Sequence, residues 1–504
     1  MNRLDTLTSW HSDWSGLRVG VLGLGVTGFA AADTLAELGA DVLVVASTAP
    51  DERARLLDVI GARLVQSDLT EVPAELVEQR PEVLIASPGF HPDHPLLLWA
   101  EAEGIPVWGD IELAWRLRDK VGEPAEWILV TGTNGKTTTV QLTATILAAA
   151  GHRVAPCGNI GIPVLDAIRD PQGWDVLVVE LSSYQLHHVK RSGVGSLAPW
   201  SSVCLNLADD HIDWHGSYEA YGEAKGTVYE NTKVACVYNK ADGATEMMVR
   251  DADVQEGARA IGFDLGVPGP SDFGIVDGIL VDRAFLEERF DSALELITIE
   301  ELALLGLDAP HVVSNILAAS ALARSFGVAP EVIRVALAGF RLDPHRIEVV
   351  ASADGIRWID DSKATNPHAA DASLKAYGSV VWLVGGLLKG VDIDDLVKRH
   401  APRLRGAIII GVDRSELRDA FTRHAPELRV FEIDADDTEQ VMPQAVRRAA
   451  ELAEAGDVVL LAPAAASMDQ FASYAARGTK FQDAVREFLG GGADDNESAS
   501  HPNA

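Results

Sequence analysis

The chain has 504 residues, 47% of them hydrophobic and 23% charged, which fits a soluble globular protein too long for one core and favours two to four domains. Lys and Arg number 42 against 75 Asp and Glu, a net charge of −33 that argues against nucleic acid or an anionic membrane surface as partner. The three cysteines, Cys157, Cys204 and Cys236, are odd in number and lack CxxC spacing; they exclude a disulfide framework and read as buried small hydrophobes in a reducing compartment.

The N-terminus carries Asp5 and Asp13 and no apolar h-region, so no signal peptide is read there. No apolar run along the chain reaches the length of a membrane span, and the expected location is the cytoplasm. Arg18 to Leu22, Gly23-Leu-Gly-Val-Thr-Gly28, Phe29 to Leu38 and Asp41 to Ala46 read as strand, Gly-rich turn, helix and strand. That is the GxGxxG dinucleotide pattern in its proper context, but the acid that would hold a ribose is missing, since the second strand ends Val45-Ala46-Ser47. Either the loop faces a phosphorylated ligand other than NAD or it is a tight turn for packing; an NAD-dependent dehydrogenase fails for want of the acid. Glu82 to Ser87 is a further strand entering Ser87-Pro88-Gly89, at the carboxyl end where open α/β sheets bind ligands. A polar linker, Arg118 to Glu126, follows.

Trp127 to Thr131 is a β-branched, apolar run expected as a buried parallel strand, and Thr137 to Ala150 a helix that stops at Gly151. Between them, Gly132-Thr133-Asn134-Gly135-Lys136-Thr137 is a phosphate cradle. Glycines let backbone N–H groups approach an anion, the helix N-terminus adds its dipole, Lys136 supplies charge, and Thr137 can ligate Mg²⁺. Val130 stands where the general P-loop has another glycine, so this is a shortened variant, and it points to ATP. The strand Asp175 to Val179 runs into Glu180, and Val203 to Asn206 into Asp209-Asp-His211-Ile-Asp213. Carboxylates and a His at strand ends beside a P-loop are placed for metal and phosphoryl work. Residues 250 to 300 carry no usable motif, and Val312 to Phe326 reads as a core helix. The strands Arg357 to Asp360, Ser379 to Val384, Ala407 to Ile410 and Val458 to Leu461 make a third parallel α/β unit without a second Gly-Lys-Thr. The tail from Gly490 is rich in Gly, Asp, Asn and Ser and is expected to be disordered.

Taken in order, Gly132 to Thr137, Gly158-Asn159-Ile-Gly161, Glu180-Leu-Ser-Ser183, Asp210-His211, Ala224-Lys225, His311 with Asn315, His345-Arg346 and Asp361-Ser-Lys-Ala-Thr-Asn366 resemble the Mur ligase family of ATP-dependent amino-acid ligases, over residues 18 to 489. The resemblance implies an α/β fold of three domains: a Rossmann-like domain at 1–120, a central P-loop ATPase domain with a parallel sheet at 121–341, and a C-terminal Rossmann-like amino-acid domain at 342–490, before a tail at 491–504. The Gly-rich N-terminal domain and Ala466-Ser-Met-Asp-Gln-Phe471, with no Asp-Asn-Pro-Arg sequence, favour the branch that adds D-glutamate to UDP-N-acetylmuramoyl-L-alanine through an acyl phosphate, in peptidoglycan precursor synthesis.

The resemblance also assigns roles. Lys136, Glu180, His211 and Lys225 are the expected catalytic residues, with Thr137 and Glu180 at a first Mg²⁺, His211 at a second, and Lys225 among the metal ligands. Lys225 resembles the family's carbamylated lysine; an ordinary surface lysine is the other reading. ATP is expected on Gly132 to Thr137, Thr138, Asn315, Arg346, Asp361 and Lys363. The UDP-substrate is expected on Val26, Thr27, Ser47, Gly89, Asn159 and Ser182, and D-glutamate on Thr365, Lys389, Ser467 and Tyr474. Small-molecule substrates, a monomer, and neither nucleic acid nor membrane insertion follow. The chain departs from the family at Ala46-Ser47-Thr48, where an Asp-Thr-Arg type sequence is usual, so Arg53 or Arg55 is a candidate to hold uridine, and at Val312, which leaves Asn315 alone for adenine. A folylpolyglutamate-type ligase would lack the N-terminal glycine loop, and a nucleotide-binding protein with a dead site would lack Lys136, Glu180 or His211.

Overall fold

The computed structural model describes residues 3–434 and 437–497, with side chains as far as Gly490. The chain divides into two compact units, Met1–Phe340 and Arg341–Ala504.

In the first unit, β1 (Arg18–Leu22), β2 (Asp41–Ala46), β3 (Arg63–Gln66), β4 (Val83–Ala86) and β5 (Val107–Gly109) form a parallel sheet in the order β3-β2-β1-β4-β5. Its central strands are unbroken apolar runs because both faces are covered. The order reverses between β1 and β4, so the Gly23–Gly28 loop and the Ser87–Gly89 turn lie side by side at the carboxyl ends. Gly28 is obligatory there, because a Cβ would collide with the carbonyl of Gly23.

The same unit holds a nine-stranded sheet: β6 (Glu126–Thr131), β7 (Val154–Gly158), β8 (Val176–Glu180), β9 (Ser201–Cys204), β10 (Ala235–Asn239), β11 (Arg259–Phe263), β12 (Asp272–Val276), β13 (Ile279–Asp282) and β14 (Leu294–Thr298). The order is β14-β13-β12-β11-β10-β9-β6-β8-β7, with β6 between β8 and β9. Residues 250–300 therefore build strands. β12 and β13 are an antiparallel hairpin across Asp277-Gly278, both at positive φ, the conformation a two-residue type I′ turn requires.

One buried apolar cluster runs from Leu4 through the first sheet to Trp127, Leu177 and Cys236, so the two sheets share a core and the stretch 118–126 lies inside the unit. Trp115 meets Trp127 edge to face at 5.2 Å. All three cysteines are buried and free. Among the described residues no single helix is long and apolar enough to cross a membrane.

In the second unit, β15 (Glu348–Ala353), β16 (Ile356–Asp360), β17 (Val380–Gly385), β18 (Leu404–Ile410), β19 (Val430–Glu432) and β20 (Val458–Leu461) form a sheet in the order β15-β16-β20-β17-β18-β19. The four expected strands are present, but the sheet is mixed rather than wholly parallel, because β15 pairs antiparallel with β16. Asp354-Gly355 makes that hairpin, again with both residues at positive φ. The last helix is Tyr474–Glu497, which extends past Gly490, where the tail is expected to begin; residues 498–504 lie outside the described residues.

Arg116 ties the start of the chain to this core. It is 2% exposed, pairs with Glu112 at 2.8 Å, and donates to the carbonyls of Leu4, Leu7 and Val194. Removing one partner of such a pair strands a buried charge. Arg116→Met is therefore expected to destabilise the first unit by about 3–5 kcal/mol. Adding Glu112→Gln should recover a large part of that loss in urea denaturation. A loss under about 1 kcal/mol would show that the pair is not needed.

Candidate active site

Three adjacent strands of the second sheet deliver the site. β6 ends in the Gly132–Thr137 loop, β8 in Glu180, and β9 in the segment leading to Asp210 and His211. The loop turns through Gly132 at φ 146° and Gly135 at φ 85°, and the helix Lys136–Ala149 follows. At Gly135 a Cβ would sit 2.5 Å from Asn315 Oδ1, so the helix Pro310–Ser325 holds Asn315 directly against the loop. Asn206 clamps the loop from β9: its Oδ1 accepts from Asn134 N at 2.8 Å and its Nδ2 donates to Asn134 O at 3.1 Å. Thr133 Oγ1 meets the Tyr221 hydroxyl at 3.0 Å. Sequence reasoning missed both Asn206 and Tyr221, whose contacts lie 72 and 88 residues away.

The two candidate catalytic lysines converge. Lys136 Nζ donates to the carbonyls of Gly132 at 2.8 Å and Thr133 at 2.9 Å, and Lys225 Nζ donates to the same Gly132 carbonyl at 2.9 Å. Lys225 is only 2% exposed, which excludes the surface-lysine reading. Burial first, and then the nearby Lys136 charge, pull its ammonium down to about 7. A sizeable fraction is therefore neutral, nucleophilic amine near neutral pH.

Glu180 is buried at the end of β8, and Gly158-Asn159 wraps it. Asn159 N donates to Glu180 O at 2.9 Å and Asn159 Nδ2 to Glu180 Oε1 at 3.1 Å. Its other oxygen, Oε2, is buried with no hydrogen-bond partner among the described residues. An orphaned, buried carboxylate oxygen close enough to act electrostatically on Lys225 fits a hard divalent cation, which takes oxygen ligands. His211 sits at φ 54°, an uncommon backbone region for a residue with a side chain, and caps the helix Ile212–His215. Its Nδ1 lies 2.6 Å from the Tyr184 hydroxyl and its Nε2 3.5 Å from Asp210 Oδ2. Burial pushes the Tyr184 phenol up to about 12, so it stays a neutral hydroxyl.

At the first sheet, Val26 and Thr27, Ser47 and Gly89 follow β1, β2 and β4, three adjacent strands. Ser47 and Thr48 are exposed. Of the two arginines considered for uridine, Arg53 donates to Leu24 O in the glycine loop at 3.1 Å, whereas Arg55 turns back onto Asp51 O. Ser87, in the turn the sequence placed at a strand's carboxyl end, has a buried hydroxyl without a partner among the described residues. The loop after β4 reaches the second sheet through His91 Nε2, 3.1 Å from Asp213 O. Ser182 caps the helix Ser183–His187 in a capping box with Gln185.

In the second unit Asp361, Lys363 and Thr365 follow β16, Lys389 follows β17 and Ser467 follows β20, while Arg346 precedes β15 and Tyr474 opens the last helix. A bridge between Leu387 and Ala466 zips two of these loops together, setting Lys389, exposed at φ 56°, beside the loop of Ser467. Lys363 Nζ lies 3.9 Å over the Tyr474 ring, and Ser362 Oγ donates to Tyr474 O at 2.8 Å. Thr365 N donates to Lys363 O at 2.8 Å. Arg477, missed from sequence, is buried and donates to carbonyls of Ser362, Gly385 and Ala465, one at each strand end. Arg346 is flanked by His345 at φ 65° and Ile347 at φ 47°, and His345 Nδ1 is 2.6 Å from Asp360 Oδ2. Asp361 is buried, bonded by the Ser373 hydroxyl and Ile347 N, and burial raises its carboxyl to about 6.

Comparison with known proteins adds the family. A model described as Mur ligase middle domain matches residues 130–323, and one described as Mur ligase, glutamate ligase domain matches residues 345–465. The chain is similar to a UDP-N-acetylmuramoylalanine--D-glutamate ligase of Leifsonia xyli subsp. xyli, 69% identical over 507 residues, 99% of this chain and 98% of that protein. It is 53% identical to the protein of the same name from Streptomyces avermitilis, over 94% of this chain and 99% of that one. Among solved structures, a pseudomurein peptide ligase type C of Methanothermus fervidus aligns at TM-score 0.55 and 18% identity, covering 94% of this chain and 100% of that one. A UDP-N-acetylmuramate-alanine ligase of Thermotoga maritima aligns at TM-score 0.52 and 17% identity, covering 94% and 99%. These two structures speak for the fold.

Proposed function

The chain belongs to the Mur ligase family, and from that premise we propose that it joins the amine of D-glutamate to the alanyl carboxylate of UDP-N-acetylmuramoyl-L-alanine, with ATP converted to ADP and phosphate. The observation that carries the reading is the meeting of the Gly132–Thr137 loop, Glu180 and the buried Lys225 at adjacent strand ends, in a chain 69% identical to a ligase of that name.

A carboxylate repels nucleophiles with its own charge and has no leaving group. Transfer of the γ-phosphoryl of ATP to one of its oxygens releases ADP and gives an acyl phosphate. The neutral amine of D-glutamate then attacks the carbonyl carbon, the C–O bond to phosphate breaks, and the amine proton passes to water. Loop N–H groups and Lys136 hold the triphosphate and stabilise the charge that develops on the transferring group. Thr137 and Glu180 would hold one Mg²⁺, and His211 with carbamylated Lys225 a second. Bound there, Mg²⁺ offsets triphosphate charge and polarises the phosphoryl group.

The carbamate follows from the same physics. A buried ammonium repels a cation, whereas neutral amine and CO₂ give a carbamate anion and a proton. In the second unit, Thr365, Lys389, Ser467 and Tyr474 are the proposed contacts of D-glutamate, and Arg346, Asp361 and Lys363 those of nucleotide. Val26, Thr27, Ser47, Gly89, Asn159 and Ser182 are assigned to the UDP-substrate, with Arg53 in support. ATP as co-substrate carries with it a cytoplasmic location.

A phosphate-release assay with UDP-N-acetylmuramoyl-L-alanine and a panel of amino acids of both hands tests the proposal. D-glutamate should support release and L-glutamate should not; absence of D-glutamate-dependent release would reject it. On the carbamate, Lys225→Ala is expected to be nearly inactive and partly rescued by formate or acetate, while Lys225→Arg stays dead. An active Lys225→Arg enzyme would remove the carbamate from the account.

A further inference from the structure

The segment Glu180-Leu-Ser-Ser-Tyr-Gln185 does more than end a strand. Its capping box fixes the first turn of the helix Ser183–His187: Ser182 Oγ accepts from Gln185 N at 3.2 Å and Gln185 Oε1 accepts from Ser182 N at 3.1 Å. Gln185 Nε2 is in turn tied to the buried Asp110 carboxylate at 3.0 Å. Tyr184, between these anchors, has its ring 4.6 Å from Trp214 and stacked on His215 at 5.8 Å. The phenol oxygen therefore has little freedom, and it meets His211 Nδ1 at 2.6 Å.

A neutral imidazole has one N–H and one lone pair, and which nitrogen carries which is set by the partner of the other. Histidines that bind a metal generally donate their second ring N–H to an oxygen, which fixes ring orientation and tautomer together. We infer that Tyr184 is a positioning residue for His211: its phenol oxygen, at 2.6 Å, takes the Nδ1 hydrogen in preference to the longer 3.5 Å contact of Nε2 with Asp210 Oδ2, so that neutral His211 presents the Nε2 lone pair as the metal-ligating nitrogen. The inference rests on the proposed metal role of His211. Backbone and side chain act together, because the left-handed backbone of His211 sets where the ring leaves the chain and Tyr184 sets its rotation and tautomer. A phenylalanine at 184 would keep the packing on Trp214 and His215 and lose only the oxygen.

The test uses the full-length protein labelled with ¹⁵N-histidine, free of metal and nucleotide, with the His211 signals assigned by His211→Gln. In the wild type, neutral His211 should show the Nδ1–H tautomer. In Tyr184→Phe, with an unchanged melting curve, it should shift to the Nε2–H form. Mn²⁺ affinity measured by paramagnetic resonance, in the presence of a non-hydrolysable ATP analogue, should fall about tenfold or more in Tyr184→Phe, with kcat regained at excess metal. A wild-type His211 already in the Nε2–H form overturns the inference without recourse to any variant. So does an unchanged tautomer in Tyr184→Phe. A shifted tautomer with unchanged Mn²⁺ binding overturns instead the assignment of His211 as a ligand, a failure of the underlying reading that His211→Gln would show independently by binding Mn²⁺ normally.

Discussion

Two lysine side chains meet at one carbonyl oxygen, that of Gly132, with Lys136 Nζ at 2.8 Å and Lys225 Nζ at 2.9 Å. Two unit charges about 5 Å apart repel by roughly 3 kcal/mol at an effective dielectric near 20. At Lys225 the carboxylates of Asp210 and Glu180 offset only part of that repulsion and of the cost of burial. The pair relaxes in two ways that matter for the chemistry. Lys225 gives up part of its protonation, and a polyphosphate bound as proposed would offset the remaining charge, in a chain whose net charge is −33.

The fold holds this arrangement by bringing strand ends together. Placing β6 between β8 and β9 sets the phosphate loop between Glu180 and the Asp210–His211 segment, and the shared core beneath the two sheets of the first unit keeps the backbone fixed. Positive-φ backbone occurs at these places, at Gly132 and Gly135, which tolerate it, and at His211 in the first unit and His345, Ile347 and Lys389 in the second, where a side chain makes it costly. Such conformations persist only where surrounding packing determines them. Arg477 shows the same logic, one buried guanidinium pinning three strand-end loops.

Motifs that depend on backbone conformation were legible in the sequence. Gly28, Gly132 and Gly135 each occupy a position where a side chain collides or φ is positive, so the glycine pattern reports the turn directly. Strands buried on both faces were legible for a similar reason, as unbroken apolar runs. Two hairpins were also within reach and passed unread: Asp277-Gly278 and Asp354-Gly355 are the dipeptides that type I′ turns favour, and they explain both the strands within 250–300 and the antiparallel edge of the third sheet. Tyr184, Asn206, Tyr221 and Arg477 could not be read, because each acts through a contact that only the folded chain creates, Arg477 on Ser362 across 115 residues.

The central claim is that ATP activates the alanyl carboxylate as an acyl phosphate. The most direct measurement follows oxygen. With ¹⁸O in both oxygens of that carboxylate and D-glutamate present, the inorganic phosphate released should carry one ¹⁸O per peptide bond formed, the other remaining in the new amide carbonyl. Phosphate free of ¹⁸O while the amide forms would mean that the carboxylate oxygen never bonds to phosphorus, and would contradict the account.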